Sequence, residues 1–146
     1  MKYLKQFENF SNETELKKLL SHLISVIKEF EYQEKNYLDR GTWETEFYKD
    51  SKYSFRIKMK IDIFTKKPYI NLKITIPLKF LDPFVNAFGE YLKTIKDMTL
   101  IRERENLPWK ISELEFKILD KDVNKIISQI TKEDIEFKLL NNKFNI

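Results

Sequence analysis

The sequence predicts an α+β domain: a mainly antiparallel sheet with helices packed on one face, in the order α-β-β-β-α-β-β-α-β. Two observations carry this. Between residues 43 and 76 apolar and polar side chains alternate with the period of a strand, and on both sides of that stretch apolar residues recur with the period of a helix. A sheet with one wet face and one apolar face needs helices bearing a single apolar stripe to cover it.

The elements follow in order. Residues 1–10 form an apolar-basic lead in which Tyr3, Leu4, Phe7 and Phe10 fall on one helical face. Ser11, Asn12, Glu13 and Thr14 are expected to break the chain, with Asn12 capping a fresh start and Glu15 reaching back to it, so that 1–12 stands as a lead segment before a single domain spanning 1–146. Leu16, Leu19, Leu20, Leu23, Ile24, Ile27 and Phe30 then keep helical period to about Glu34. Gly41 opens the strand period. Trp43, Thr45 and Phe47 alternate with Glu44 and Glu46, and Tyr53, Phe55, Ile57, Met59, Ile61 and Ile63 alternate with Ser54, Arg56, Lys58, Lys60 and Asp62. After residues 65–68 the pattern resumes, with Ile70, Leu72, Ile74 and Ile76 against Asn71, Lys73 and Thr75. Odd-numbered side chains of the first two strands and even-numbered ones of the third are expected to face the core.

Asp82 before Pro83 marks a helix start, because proline at the first helical position gives up only an N–H that had no partner. Phe84, Val85, Phe88, Leu92 and Ile95 make its apolar stripe. Residues 98–104 read as an edge strand, and Leu107, Pro108 and Trp109 as a turn carrying an aromatic anchor. The segment from Glu113 to Asp120 is nearly repeated from Asp134 to Asn141; both copies alternate like strands, with a short helix at Val123, Ile126, Ile127 and Ile130 between them. A helical turn capped by Thr131 is the competing reading of the second copy.

Composition bounds the chemistry. With 42% hydrophobic residues and 12 Phe, 146 residues are enough for one core. The 27 basic and 23 acidic side chains are interspersed, and the net charge is only +4, a pattern of a soluble surface more than of a dedicated polyphosphate binder. With no cysteine there is no disulfide, thiolate metal site or thiol nucleophile. No apolar run reaches the length of a membrane span, and no signal-peptide core stands at the N-terminus, so neither membrane nor export is expected.

Few patterns resemble an active site. His22 is the single histidine, lies off the main apolar stripe of its helix, and is expected to be solvated. Gly41 and Gly89 are the only glycines, so no phosphate-cradling loop can be built. Glu115-Phe116-Lys117 resembles the acid-x-lysine half of the PD-(D/E)xK nucleases, with Asp120 or Asp62 as the partner acid, yet Glu136-Phe137-Lys138 repeats the triplet and shows how readily this composition generates it. No catalytic centre, metal or cofactor is expected. Arg56, Lys58 and Lys60 with Lys73, joined by Lys66 and Lys67 in the turn, would form a basic stripe on the wet sheet face, with Phe64 or Tyr48 as stacking surfaces. Glu44 and Glu46 stand on the preceding strand to neutralise it, so the face reads first as solvated and second as a nucleic-acid contact.

The opening residues from Met1 to Phe10, methionine-lysine followed by spaced aromatic and aliphatic residues, resemble the short leaders of many proteins of tailed, T4-like bacteriophages. The resemblance implies a phage-encoded protein in the bacterial cytoplasm or the virion, and a leader that binds another protein. Read from its residues alone, the same stretch is a short helix whose Leu4, Phe7 and Phe10 close one end of the core. The expectation is a non-enzymatic binding or structural protein acting through protein contacts or self-association, with Tyr3, Leu4, Phe7, Phe10 and Trp109 as contact residues; nucleic-acid binding through the basic face is the alternative.

Overall fold

The alternation of residues 43–76 is satisfied by an antiparallel meander inside a larger sheet. The computed structural model describes the backbone of residues 2–39, 42–50, 53–63, 66–78 and 82–144, and the side chains of 14–38, 42–50, 53–63, 66–78 and 82–142. Along the chain run α1 (Lys2–Lys28), β1 (Gln33–Asp39), β2 (Thr42–Lys49), β3 (Tyr53–Asp62), β4 (Tyr69–Pro77), α2 (Pro83–Thr94), β5 (Thr99–Asn106), β6 (Ile111–Ile118), a 3-10 turn (Asp120–Asp122), α3 (Val123–Gln129) and α4 (Lys132–Phe144). The strands form one six-stranded sheet in the order β1-β2-β3-β4-β6-β5, and every neighbouring pair is antiparallel.

Side-chain parity decides what the sheet buries. Phe47 on β2, Ile57 and Met59 on β3, and Ile70, Leu72 and Ile74 on β4 are each 0% exposed, while Arg56, Lys58 and Lys60 face solvent. Each such aliphatic or aromatic side chain contributes about 1.5–3 kcal/mol when fully buried. The cover comes from Leu16, Leu19, Leu23 and Ile27 of α1, from Phe84, Phe88 and Leu92 of α2, and from Val123 and Ile126 of α3, which join the same core. Gly89 lets α2 lie close on β6: a Cβ there would stand 3.0 Å from Leu114 Cδ1.

The start of α2 is a junction. Asp82 Oδ1 accepts the Phe84 backbone N–H at 3.1 Å, capping the helix as expected, and Asp82 Oδ2 accepts the hydroxyl of buried Tyr32. The ring of Tyr32 packs against Phe55 and Phe84, with centroids 5.4 Å and 5.2 Å away. Burial pushes the Asp82 carboxyl above its ordinary range, and the Phe84 N–H opposes that rise.

Four sequence expectations change. Helix α1 runs unbroken through residues 11–14, so no helix starts at Asn12. It ends at Lys28 rather than near Glu34, in a turn closed by Glu31 N–H to Lys28 O at 3.0 Å with Glu31 at a left-handed φ of 71°. The chain then supplies an extra edge strand, β1, paired along its length with β2. Residues 134–141, expected as the last strand, lie in α4: Thr131 Oγ1 accepts the Asp134 N–H at 3.2 Å, and Glu133 and Asp134 occupy the first turn, where acids are favourable.

Asp82→Ala removes the α2 cap and leaves the Tyr32 hydroxyl without its acceptor, a combined cost of about 2–4 kcal/mol. Tyr32→Phe removes only the donor and should cost about 1 kcal/mol. Urea unfolding of both variants checks this; equal losses would show that Asp82 does not serve two partners.

Candidate binding surface

Residues directly opposite one another in an antiparallel sheet share a face, so the uncovered face can be read in rows. One row runs Lys35, Glu46, Arg56, Thr75, Glu113, Arg104; the next runs Tyr37, Glu44, Lys58, Lys73, Glu115, Arg102. Sign therefore changes by strand: acids on β2, bases on β3 and β4, acids on β6, bases on β5. Arg56 lies 3.7 Å from Glu44 and 3.4 Å from Glu46, Lys73 lies 3.6 Å from Glu113, and Arg104 Nε donates to Glu113 at 2.8 Å. Pairs as exposed as those of Arg56 contribute little singly. Glu113 differs, because only 7% of it is exposed. The Arg104 hydrogen bond, helped by Lys73, holds its carboxyl below the ordinary range against the opposing effect of burial.

This arrangement sorts the basic residues expected from the sequence. Arg56 is engaged by Glu44 and Glu46, the acids that the neutralised reading named, whereas Lys73 is engaged by Glu113, which it did not name. Lys58 and Lys60 are exposed, and among the described residues no carboxylate pairs with either. Lys66 and Lys67 are exposed in the β3–β4 turn. Tyr48 lies at the β2 edge of the same face, and Phe64 is outside the described residues. Lys117 was not anticipated in this group. Its ammonium sits 4.8 Å from the centre of the Tyr69 ring, and Tyr69 donates its hydroxyl to Asp62 at 3.0 Å, which raises the tyrosine's pKa. Parity could have found it, since 117 shares its face with 113 and 115.

Of the nuclease-like triplet and its candidate partner acids, Glu115 and Lys117 share the open face of β6 with Asp62, which accepts the Tyr69 hydroxyl. Asp120 sits in the 3-10 turn, where burial and then Glu15 push its carboxyl up. The second triplet, Glu136 to Lys138, is helical. Among the described residues no three histidine or acidic side chains gather as a metal site. His22 is not solvated as expected: its Nε2 lies 2.6 Å from the Ile130 carbonyl, so the Nε2–H tautomer ties α1 to the end of α3.

The second surface feature is the β5–β6 turn. Leu107 is 70% exposed and Trp109 is 76% exposed. The backbone that carries them is tied down. Lys110 N–H reaches Leu107 O at 3.1 Å, Leu78 N–H reaches Lys110 O at 2.8 Å, and Lys110 takes a left-handed φ of 52°. Asn106 Oδ1 accepts the Trp109 N–H at 3.4 Å. The other expected contact residues, Tyr3, Leu4, Phe7 and Phe10, lie at the start of α1, and their side chains are outside the described residues.

Comparison with protein-family models, with curated proteins and with solved structures finds no match to this chain. The surface must therefore be read from its own geometry. Two open clefts border the β1 edge: one of about 390 Å³ is lined by Glu31, Gln33, Tyr48, Lys49 and Asp50, and one of about 500 Å³ by Ser21, Ile24, Ser25, Lys28, Glu34 and Asn36. Among the described residues no helix is long and apolar enough to cross a membrane.

Glu113 gives this surface a pH signature. A carboxyl whose folded pKa is lowered contributes stability that is full above its ordinary value of 4.5 and lost as pH falls through the folded value. Glu113→Gln should cost about 1–3 kcal/mol near pH 7. The gap to the wild type should narrow as pH falls below 4.5 and Glu113 itself becomes protonated. Urea titrations at neutral pH and along a falling pH series check it, and a gap that persists unchanged in acid contradicts the electrostatic origin.

Proposed function

We propose that the protein is a non-enzymatic binding protein that acts through protein–protein contacts, with the β5–β6 turn as its anchor. The observation that carries the reading is Trp109, 76% exposed on a turn whose backbone is fixed by hydrogen bonds at both ends. An indole held outward on a rigid support loses little entropy on docking and offers a large apolar face, the combination found at energetically dominant interface positions. Leu107 stands beside it in the same turn. The leader's resemblance to those of tailed bacteriophages supports a phage-encoded protein and a partner in the bacterial cytoplasm or the virion.

Trp109→Ala should leave the fold intact, with a melting temperature within about 2 °C of the wild type, because so little of the side chain is buried. Immobilised wild-type protein should recover a partner from cells of its source that the Trp109→Ala protein recovers at least tenfold less well, a loss of about 1.4 kcal/mol or more. Equal recovery by the two proteins overturns the assignment of the turn.

One observation favours a second reading, binding of single-stranded nucleic acid. Lys58 and Lys60 stand exposed on the open face, next to Lys73 and with no carboxylate partner among the described residues. A site neutralising about three phosphates would lose roughly tenfold or more in affinity between 50 and 200 mM salt. Lys58→Glu/Lys60→Glu should abolish such binding to a labelled oligonucleotide. Absence of binding by the wild type at low salt disposes of this reading.

A further inference from the structure

We propose that the open face of the sheet carries a binding site for a phosphoryl group, centred on Asn71 and flanked by Lys60 and Lys117. The register sets these three on one row: Lys60 of β3 stands opposite Asn71 of β4, and Asn71 opposite Lys117 of β6. Adjacent strands lie about 4.8 Å apart, so the two lysine backbones are separated by roughly 10 Å with the amide midway between them.

Asn71 is the residue that calls for a ligand. Only 7% of it is exposed, yet among the described residues its side-chain amide has no hydrogen-bond partner. A buried amide left without a partner is costly. The other buried polar side chains of the sheet are served, Thr45 by Asn36 and Glu113 by Arg104. Among the described residues no unpartnered side-chain nitrogen or oxygen is sealed away from solvent, so the Asn71 amide opens onto the surface between its neighbours.

Those neighbours are mostly basic. Lys58 and Lys73 face each other on the next row, with Glu115 beside Lys73 on β6. On the other side Asp62 stands across from Tyr69, whose hydroxyl it accepts at 3.0 Å. Four lysines thus surround the amide against two carboxylates. The Lys117 ammonium lies 4.8 Å from the centre of the Tyr69 ring. Tyr69 belongs to β4, two residues from Asn71 on the same face, so Lys117 leans over β4 rather than away towards β5. A phosphoryl group offers three acceptor oxygens to these three donors. The ammonium groups supply charge, and the neutral amide orients one oxygen through a charge-assisted hydrogen bond. Neither cleft at the β1 edge is lined by these residues. An open face suits a phosphate carried on an extended strand, where small ligands are held in concave sites.

The site deepens the nucleic-acid reading above, and two probes added to the full chain at low salt separate them: a labelled single-stranded oligonucleotide and ATP. The oligonucleotide should shift the Asn71 side-chain amide resonance in a nitrogen-edited NMR spectrum. Asn71→Leu should bind it about tenfold more weakly with an unchanged salt slope, and Lys117→Gln should weaken binding and lower the slope by about one. Glu115→Gln should tighten binding about threefold, a gain that a merely structural role would not give. With no partner to lose, Asn71→Leu should unfold in urea at no lower a concentration than the wild type. If ATP alone reproduces the shift with the same dependence on Asn71 and Lys117, the site stands and the strand reading falls. If the oligonucleotide binds and is lost in Lys58→Glu/Lys60→Glu but is indifferent to Asn71→Leu and Lys117→Gln, the strand reading stands and this site is overturned. An Asn71 resonance that neither probe moves overturns it as well.

Discussion

A sheet covered on one side must hold its register to the residue. Side chains alternate, so a slip of β3 by one would carry Lys58 and Lys60 into the space filled by Ile57 and Met59 and turn those two side chains out to solvent. Burying an unpaired ammonium costs several kcal/mol, and each aliphatic residue exposed loses about 1.5–3 kcal/mol. This constraint sets the rest of the molecule. It obliges α1, α2 and α3 to present apolar stripes to one face, and it leaves the opposite face to be occupied by charge.

The open face is ordered by strand rather than by residue. Because β6 lies between β4 and β5, Glu113 is reached by Lys73 from one side and Arg104 from the other, and it becomes the most buried carboxylate among the described residues of that face. The topology, with β6 rather than β5 inserted beside β4, is what brings three residues distant in sequence into one network. The same insertion leaves β5 with a single neighbour. Its charges are partly used inward, through Arg104 to Glu113 and through Glu103 to Lys93 of α2 at 2.9 Å.

How much was legible follows from whether a feature is local. The strands from 43 to 76 and the start of α2 carry their own signals, a period and an Asp-Pro cap, and both stand as read. Strand β1 carries almost none: Gln33 to Asp39 lies at an edge with most of its side chains outside the core, and its extended form comes from pairing with β2. The near-repeat shows the same limit. One copy lies in β6 with partners on both sides, and the other becomes α4 because Thr131 caps it and α2 packs along it. Similar residues take opposite structures by context. In the candidate surface, parity placed Arg56, Lys58, Lys60 and Lys73 together. The Glu113 network needed the strand order, and the His22 bond to Ile130 spans 108 residues without a local trace.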